Sequence, residues 1–323
     1  MTDKRIDVAA AVITDARGRV LLARRTAGRD LAGLWEFPGG KVEAGESPEQ
    51  ALVRELREEL RIEAHVGAPV IAVAQQYPDK RLRLDVRHVT RWEGVPRGLE
   101  GQALVWVPRE KLASYAMPPA DRPVVAALLH PNRYLVTPAP ADSTQTDAWL
   151  ATFQRALDAG VRRVQLRLPG VDGSGRRALA IACKRACAAA GAELLINGGD
   201  VLDDSIALSQ ELQLGLHLRA TQLVGLPRRP IDLGLPLAAS CHDQDELRAA
   251  EALGCDFVVA GPVHATTTHP GVTGIGWQQF EHLREVVSLP IYAIGGLGPN
   301  DIATARRHGA QGIAAIRGLW PGV

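Results

Sequence analysis

The sequence predicts an α/β protein of two domains: an N-terminal α/β/α sandwich around a mixed sheet, then a C-terminal (β/α)8 barrel. Three observations lead there. The 323 residues are 46% apolar, enough for two ordinary cores without disulfide staples. The first 130 residues combine a few strand candidates with two helices, the content of one layered domain. After His130, short apolar runs recur roughly every 20–30 residues with helical patterns between them, the arithmetic of eight strands and their crossover helices. The boundary stretch LLHPNRYLVTPAP (128–140) is short, so the domains are expected at 1–130 and 133–323 as tethered but separate folds.

In the first domain, residues 6–13 and 20–25 are strand candidates split by the turn DARGR (15–19), a hairpin signal. A helix is expected over about 48–60, opened by Ser47 as cap, Pro48 in the first turn and Glu49 early. Residues 81–87 alternate strictly, with Leu82, Leu84 and Val86 on one face and charged residues on the other, as in a strand with one solvated face. A shorter helix follows Pro123. In the second domain the strands are YLVT (134–137), VQL (164–166), ELLI (193–196), LGLH (214–217), LAAS (237–240), FVVA (257–260), IYAI (291–294) and GIAAI (312–316). Helices are expected over 146–159, 174–190, 201–210, 243–253, 276–287 and 299–308.

Charge balances to +1, so no net field recruits nucleic acid or a membrane surface, and neither is expected as a partner. Four cysteines are too few for a disulfide scaffold, and the four-residue spacing of Cys183 and Cys187 is neither zinc nor redox spacing; buried thiols are expected. The one apolar run near the start, Val8–Ile13, is too short for a signal-peptide core, so a cytoplasmic protein is expected. Oligomeric state is not legible in the sequence.

The chemistry is densest over 39–62, GGKVEAGESPEQALVRELREELRI. On a helical wheel counted from Ala51, Glu58, Glu55 and Glu59 fall at about 340°, 40° and 80°, next to a stripe of Leu52, Leu56 and Leu60. Such carboxylates repel one another by a few tenths of a kcal/mol per pair, and more beside a core, unless a cation neutralises them. All-oxygen ligation suits Mg2+ or Mn2+. The competing reading is a solvated helix laced with Glu–Arg pairs. The loop before the helix favours the metal: Gly39-Gly40 permit close backbone approach, and Lys41 and Glu46 add a phosphate-seeking cation and a fourth carboxylate.

This stretch resembles the Nudix box, G-x5-E-x7-R-E-U-x-E-E-x-G-U, at Gly40, Glu46, Arg54, Glu55, Leu56, Glu58, Glu59 and Ile62. Arg61 stands where the pattern has Gly, at a cost of about 1 kcal/mol or with a slightly longer helix. The similarity extends over 4–130 and is closest to MutT-type pyrophosphohydrolases, through EFPGGKVEAGE, YPD, RWEG, EGQ and PPA. It implies Mg2+-dependent hydrolysis of nucleoside triphosphates to monophosphate and pyrophosphate, first among them oxidised purine deoxynucleotides of the 8-oxo-dGTP type, a nucleotide-pool sanitation role. It also implies Glu55, Glu58, Glu59, Glu100 and the Gly39 carbonyl as metal ligands, Glu55 as base, Arg54 as their orienter, and Lys41 or Arg24 on phosphate. The oxidised-guanine readers carry Asn after PPA; Asp121 stands there, and an ionised Asp only accepts hydrogen bonds. It is either protonated in an apolar pocket, or reads another base edge, or the specificity has moved. Tyr77 and Phe37 are candidates to stack on a base or to fill the core.

Residues at the C-terminal strand ends of the barrel include Arg167, Asn197, His217, Ser240, His242, Gly295-Gly296 and Arg317. Glycines after strands seven and eight suggest a phosphate site at Gly295, Gly296 and Arg317, or merely end the strands. This half resembles the thiamine phosphate synthase/TenI superfamily, which are TIM barrels, through VQLR, GLHL, ASCH, GPVHATTTHPG and AIGGL. It departs from the synthases where they hold Mg2+ and pyrophosphate: Leu168-Pro169 replace Glu-Lys, Gly198 replaces Asp, RATQL (219–223) lacks an acid, and His269 replaces Lys. TenI-type tautomerases use a His where His242 stands, and an imidazole near pKa 6.5 suits proton shuttling. The barrel is therefore expected to be a thiazole phosphate tautomerase or a non-catalytic thiamine-phosphate-binding module. An alternative places both halves in one pathway, with the Nudix half acting on a thiamine-related pyrophosphate.

Overall fold

The computed structural model describes residues 5–266 and 273–322, the side chain of Ser143 excepted. Cα proximity groups the chain into two compact units, one built chiefly from residues up to His130, the other from Pro131 onward.

The first unit holds β1 (Arg5–Ile13), β2 (Val20–Arg24), β3 (Trp35–Glu36), β4 (Gly39–Lys41), α1 (Pro48–Leu60), β5 (Glu63–Gln76), β6 (Arg81–Glu93), β7 (Leu104–Val107) and α2 (Arg122–Leu129). A mixed sheet runs β4-β1-β6-β5, with β1 and β6 parallel and the outer pairs antiparallel; β3-β2-β7 form a second, antiparallel sheet. The expected β1–β2 hairpin is corrected here. These strands lie in different sheets and share one isolated bridge, Thr14 to Val20, so the 15–19 turn redirects the chain rather than closing a ladder.

The two-residue period of β1 decides the layering. Ala9, Ala11 and Ile13 face a core with Leu52, Leu56 and Leu60 of α1. Ala10 and Val12 face the opposite core, with Val124 and Leu128 of α2. The alternation expected over 81–87 lies within β6, with Leu84 and Val86 buried. Helix α1 starts where its cap predicts: Ser47 Oγ accepts the Gln50 N–H, and Gln50 Oε1 accepts the Ser47 N–H. It ends at Leu60 because Arg61 takes the left-handed conformation (φ 58°) that the Nudix pattern gives to Gly. The helix is therefore not extended.

The second unit holds β8 (Arg133–Val136), α3 (Thr146–Asp158), β9 (Arg163–Leu166), α4 (Gly173–Ala190), β10 (Glu193–Asn197), α5 (Leu202–Leu212), β11 (Gly215–Leu218), α6 (Ala220–Leu223), β12 (Leu237–Cys241), α7 (Gln244–Leu253), β13 (Phe257–Ala260), α8 (Gly276–Arg284), β14 (Ile291–Ile294), α9 (Ile302–Arg307) and β15 (Gly312–Ala315). All eight expected strands form, and they close in the order β10-β11-β12-β13-β14-β15-β8-β9, every pair parallel. Tyr134, Leu195, Ala238, Phe257, Val259, Tyr292 and Ala314 fill the interior. The short helix α6 was not expected, and α8 stops three residues early. All four cysteines are free and buried. Among the described residues, no helix is long and apolar enough to cross a membrane.

Candidate functional site

Two cavities hold the sequence-predicted chemistry. The one in the first unit, about 940 Å3, is walled by β1, the β2–β3 loop, β4, α1 and the segments around Tyr77 and Asp121. Glycine makes its floor possible. A Cβ on Gly39 would lie 2.1 Å from the Ala9 carbonyl oxygen, and one on Gly40 2.2 Å from the Glu55 carboxyl carbon. The Glu55 carboxylate thus rests on bare backbone, facing the cavity beside Gly39, Gly40 and Lys41.

Arg54 organises the carboxylates around it. Its guanidinium donates from Nε and Nη2 to the two Glu46 oxygens (2.8 and 2.9 Å), and from Nη1 to Glu55 (2.9 Å) and Glu58 (3.3 Å). This fork holds the Glu46 carboxyl down at about 2. Glu46 therefore anchors Arg54, and Arg54 aims Glu55. Glu58 is 60% exposed and does not line the cavity.

Glu59 is buried at the cavity's inner wall. The 97–102 loop is stitched to the end of α1: Leu99 N–H and Gln102 Nε2 both donate to the Glu59 carbonyl, and Arg97 N–H to that of Leu60. That stitching sets Glu100 beside Glu59. Burial first, then the charges of Glu100, Glu55 and Glu36, push the Glu59 carboxyl up to about 7, against the pull of Arg29. Arg29, on the β2–β3 loop, bonds both Glu59 (3.4 Å) and Glu100. Among the described residues, no three acidic, His or Cys side chains gather on a common point. Arg54 and Arg29 hold them instead.

The residues nevertheless fit a divalent cation. The donors are all oxygen, Gly40 clears the space above Glu55, and Glu59 is crowded by like charge that a cation relieves.

At the far end of the cavity, Asp121 is 6% exposed and accepts the Phe37 backbone N–H at 3.3 Å. Burial, reinforced by the charge of Glu36, raises its carboxyl to about 7. Burial also raises Glu36, which Arg25 bonds. The Tyr77 ring borders this end, and burial raises its hydroxyl above the usual tyrosine value. Phe37 is 3% exposed and belongs to the core on the α2 side of the sheet. Arg24 does not face the cavity, since its Nε donates to the Gly33 carbonyl at 3.1 Å; Arg25, Arg29 and Lys80 line it instead. Sequence reasoning missed these three and Glu36, although Glu36 sits in the EFPGG stretch and Arg25 beside Arg24.

The barrel's cavity, about 630 Å3, opens at the C-terminal strand ends between β9, β10, β11 and β12. Hydrogen bonds fix several of its polar residues. The Gly199 N–H can only donate, so Asn197 Oδ1 accepts it (3.1 Å) and Asn197 Nδ2 turns to Gln165 Oε1 (3.5 Å). Deeper in the barrel, the Tyr134 hydroxyl lies 2.9 Å from His217 Nδ1. His217 Nε2 lies 2.9 Å from Ser240 Oγ. Burial pushes His217 down to about 3, so the ring is neutral near pH 7 and bridges the two hydroxyls, donating to one and accepting from the other. The Ser240 hydroxyl lines the cavity.

His242 also lines the cavity, 61% exposed, with Nδ1 3.0 Å from a Glu246 oxygen that also accepts the His242 backbone N–H. A proton on Nδ1 leaves the Nε2 lone pair free. Gly295, Gly296 and Arg317 do not line the cavity, although Ile294 and Ile316 do. A Cβ on Gly295 would strike Pro262 and Val263 at 2.6–2.8 Å, so that glycine admits the neighbouring loop. His269 lies outside the described residues.

Comparison with known proteins follows these two sites. A NUDIX domain model matches residues 9–127, and a thiamine monophosphate synthase model matches residues 133–319. The chain is 48% identical over 126 residues to the CTP pyrophosphohydrolase of Escherichia coli (strain K12), covering 39% of this chain and 93% of that protein. It is 39% identical over 125 residues to the 8-oxo-dGTP diphosphatase of the same organism, covering 39% of this chain and 97% of the relative. The barrel half is 32% identical over 183 residues, 56% of this chain, to a thiamine-phosphate synthase of Prochlorococcus marinus (strain MIT 9313), of which it spans half. Through its barrel the chain belongs to the thiamine monophosphate synthase/TenI family, and through its N-terminal half to the Nudix hydrolases, which cleave phosphoric anhydrides.

Proposed function

We propose that residues 1–130 form a Mg2+-dependent pyrophosphohydrolase that converts nucleoside triphosphates to monophosphate and pyrophosphate. Glu55, Glu59 and the Gly39 carbonyl, with Glu100 from the adjoining loop, would hold Mg2+ or Mn2+; Glu58, exposed and outside the cavity, is the weakest of the expected ligands. The bound ion would supply charge neutralisation at the phosphates and a lowered water pKa. Glu55 is suited to take the proton from the attacking water, because Arg54 aims it and Gly40 leaves it room. Arg25, Arg29, Lys41 and Lys80 supply cationic reach to the polyphosphate, the role expected of Arg24.

The observation that carries the base assignment is the buried Asp121 carboxyl. Neutral below about pH 7, it both donates and accepts, as the Asn of oxidised-guanine readers does. Cytosine presents such a pair at N3 and the 4-amino group, and guanine at O6 and N1–H. Greater identity to the CTP pyrophosphohydrolase than to the 8-oxo-dGTP diphosphatase supports a cytosine nucleotide ahead of an oxidised guanine one. Competition between CTP and 8-oxo-dGTP, with pyrophosphate as the measured product, tests the order. A higher kcat/KM for 8-oxo-dGTP would reverse it.

The barrel is proposed as the site of a thiazole- or thiamine-type phosphate. His242, with Nε2 free over the cavity, supports a tautomerase role; its exposure supports simple binding equally. Proton exchange on thiazole phosphate, followed by NMR in the wild type and His242→Ala, separates the two.

A further inference from the structure

Three guanidinium groups line the barrel cavity on its β9–β11 side: Arg167, Arg176 and Arg219. Arg167 follows β9 and is half-buried; among the described residues its side chain makes no hydrogen bond or ion pair. Arg176, from α4, is held over the backbone of Gly199 by a 3.0 Å bond from Nη2 to the fully buried Ser205 hydroxyl. Arg219, just after β11, reaches Asp200 at 3.1 Å, but that carboxylate is 96% exposed. Such a pair in water contributes little and yields readily to a better partner.

The same wall offers little to a divalent cation. The side-chain space of Gly198 is filled, because a Cβ there would lie 2.2 Å from Gln222 Oε1. Gln222 is itself engaged, accepting the Arg219 N–H at 2.9 Å and donating to the carbonyls of Gly198 and Gly199 at 3.2 Å. Leu168 and Pro169 continue the wall without a donor. Asp200 and Asp204 are both exposed, and among the described residues no group of three acidic, His or Cys side chains that could hold a metal forms around them.

We propose that this side of the barrel cavity is a metal-independent oxyanion site, in which Arg167, Arg176 and Arg219 grip the phosphate or pyrophosphate group of the ligand directly. Guanidinium forks match phosphate oxygens two at a time and never lose their charge near neutral pH, so they do here what a metal ion does where carboxylates converge. The Ser240 hydroxyl also lines the cavity and, able to donate and to accept, suits a polar atom of the ligand. The inference rests on the reading of the barrel as a ligand-binding domain and adds how the anion is held.

The test is calorimetric titration of the full chain with inorganic pyrophosphate and, separately, thiazole phosphate, each in EDTA and in Mg2+. Binding of at least one probe is expected in EDTA. Arg167→Ala, Arg176→Ala and Arg219→Ala should each weaken it roughly tenfold or more, while nucleotide hydrolysis by the same variants stays at the wild-type rate and reports an intact chain. In Mg2+ the component removed by Arg219→Ala should be no tighter than in EDTA. Binding to this component only when Mg2+ is present overturns the proposal, and that arm needs no folded variant. Probe binding that survives all three substitutions also overturns it but leaves the barrel a ligand-binding domain. No binding of either probe in either buffer overturns both.

Discussion

Gly40 and Glu55 fit together as backbone and carboxylate with no room for a methyl group: a Cβ on Gly40 would lie 2.3 and 2.4 Å from the two Glu55 oxygens. Because the colliding atoms are the tip of a flexible side chain, Gly40→Ala should displace the carboxylate rather than the fold. The expected outcome is a fall in kcat of roughly a hundredfold with a thermal midpoint close to wild type. A large drop in the midpoint would mean that Gly40 serves packing alone.

Asp121 makes the base pocket sensitive to pH. Its folded-state pKa is raised to about 7 from 3.8, chiefly by burial and then by Glu36. The folded state therefore binds the proton more tightly than the unfolded chain. Its contribution to stability is full below about pH 4 and is lost as pH rises through about 7. Asp121→Asn should flatten that dependence and stabilise the chain at neutral pH. In the wild type, KM for the nucleotide should rise above pH 7 while the variant's stays level; parallel profiles would remove Asp121 from base recognition.

Arg29 bonds Glu59 and Glu100, two of the proposed metal ligands, and so competes with a cation for them. Arg29→Ala should tighten Mn2+ binding measured by electron paramagnetic resonance without nucleotide, by a few-fold, as expected for loss of partly exposed charge pairs. Weaker Mn2+ binding in the variant would show that Arg29 supports the site rather than opposing the ion.

Much of the fold was legible because local signals agreed with one another. Helix α1 carries a cap, a proline at its start and buried leucines at helical spacing, and its motif residues sit where the spacing puts them. The barrel strands are apolar on both faces and separated by crossover helices, a pattern that few folds share. What stayed hidden depends on long-range register. Residues 6–13 and 20–25 look like a hairpin until their partners are known: each has one nearer partner, β4 or β3, and one, β6 or β7, more than sixty residues away.

The site followed the same division. Arg24 and Arg25 are adjacent, and only the course of the chain after β2 decides which enters the cavity. Gly295 and Gly296 read from sequence as a phosphate cradle or as mere strand ends; that a Cβ on the first would meet Pro262 and Val263, distant in sequence, is visible only in the fold. The aim of Glu55 was readable from the motif, whereas the bond from Arg29 to Glu59 and Glu100 crosses three separate loops and helices.

The decisive measurement is pyrophosphate release from CTP and 8-oxo-dGTP by the full chain, with Mg2+ and with EDTA, for the wild type and Glu55→Gln. Release should require Mg2+ and fall by about a thousandfold in the variant, while its folding is retained, since the substitution removes a base or ligand and relieves like-charge crowding. Equal rates for the two proteins, or no pyrophosphate from either nucleotide, would contradict the assignment of that helix as the catalytic one.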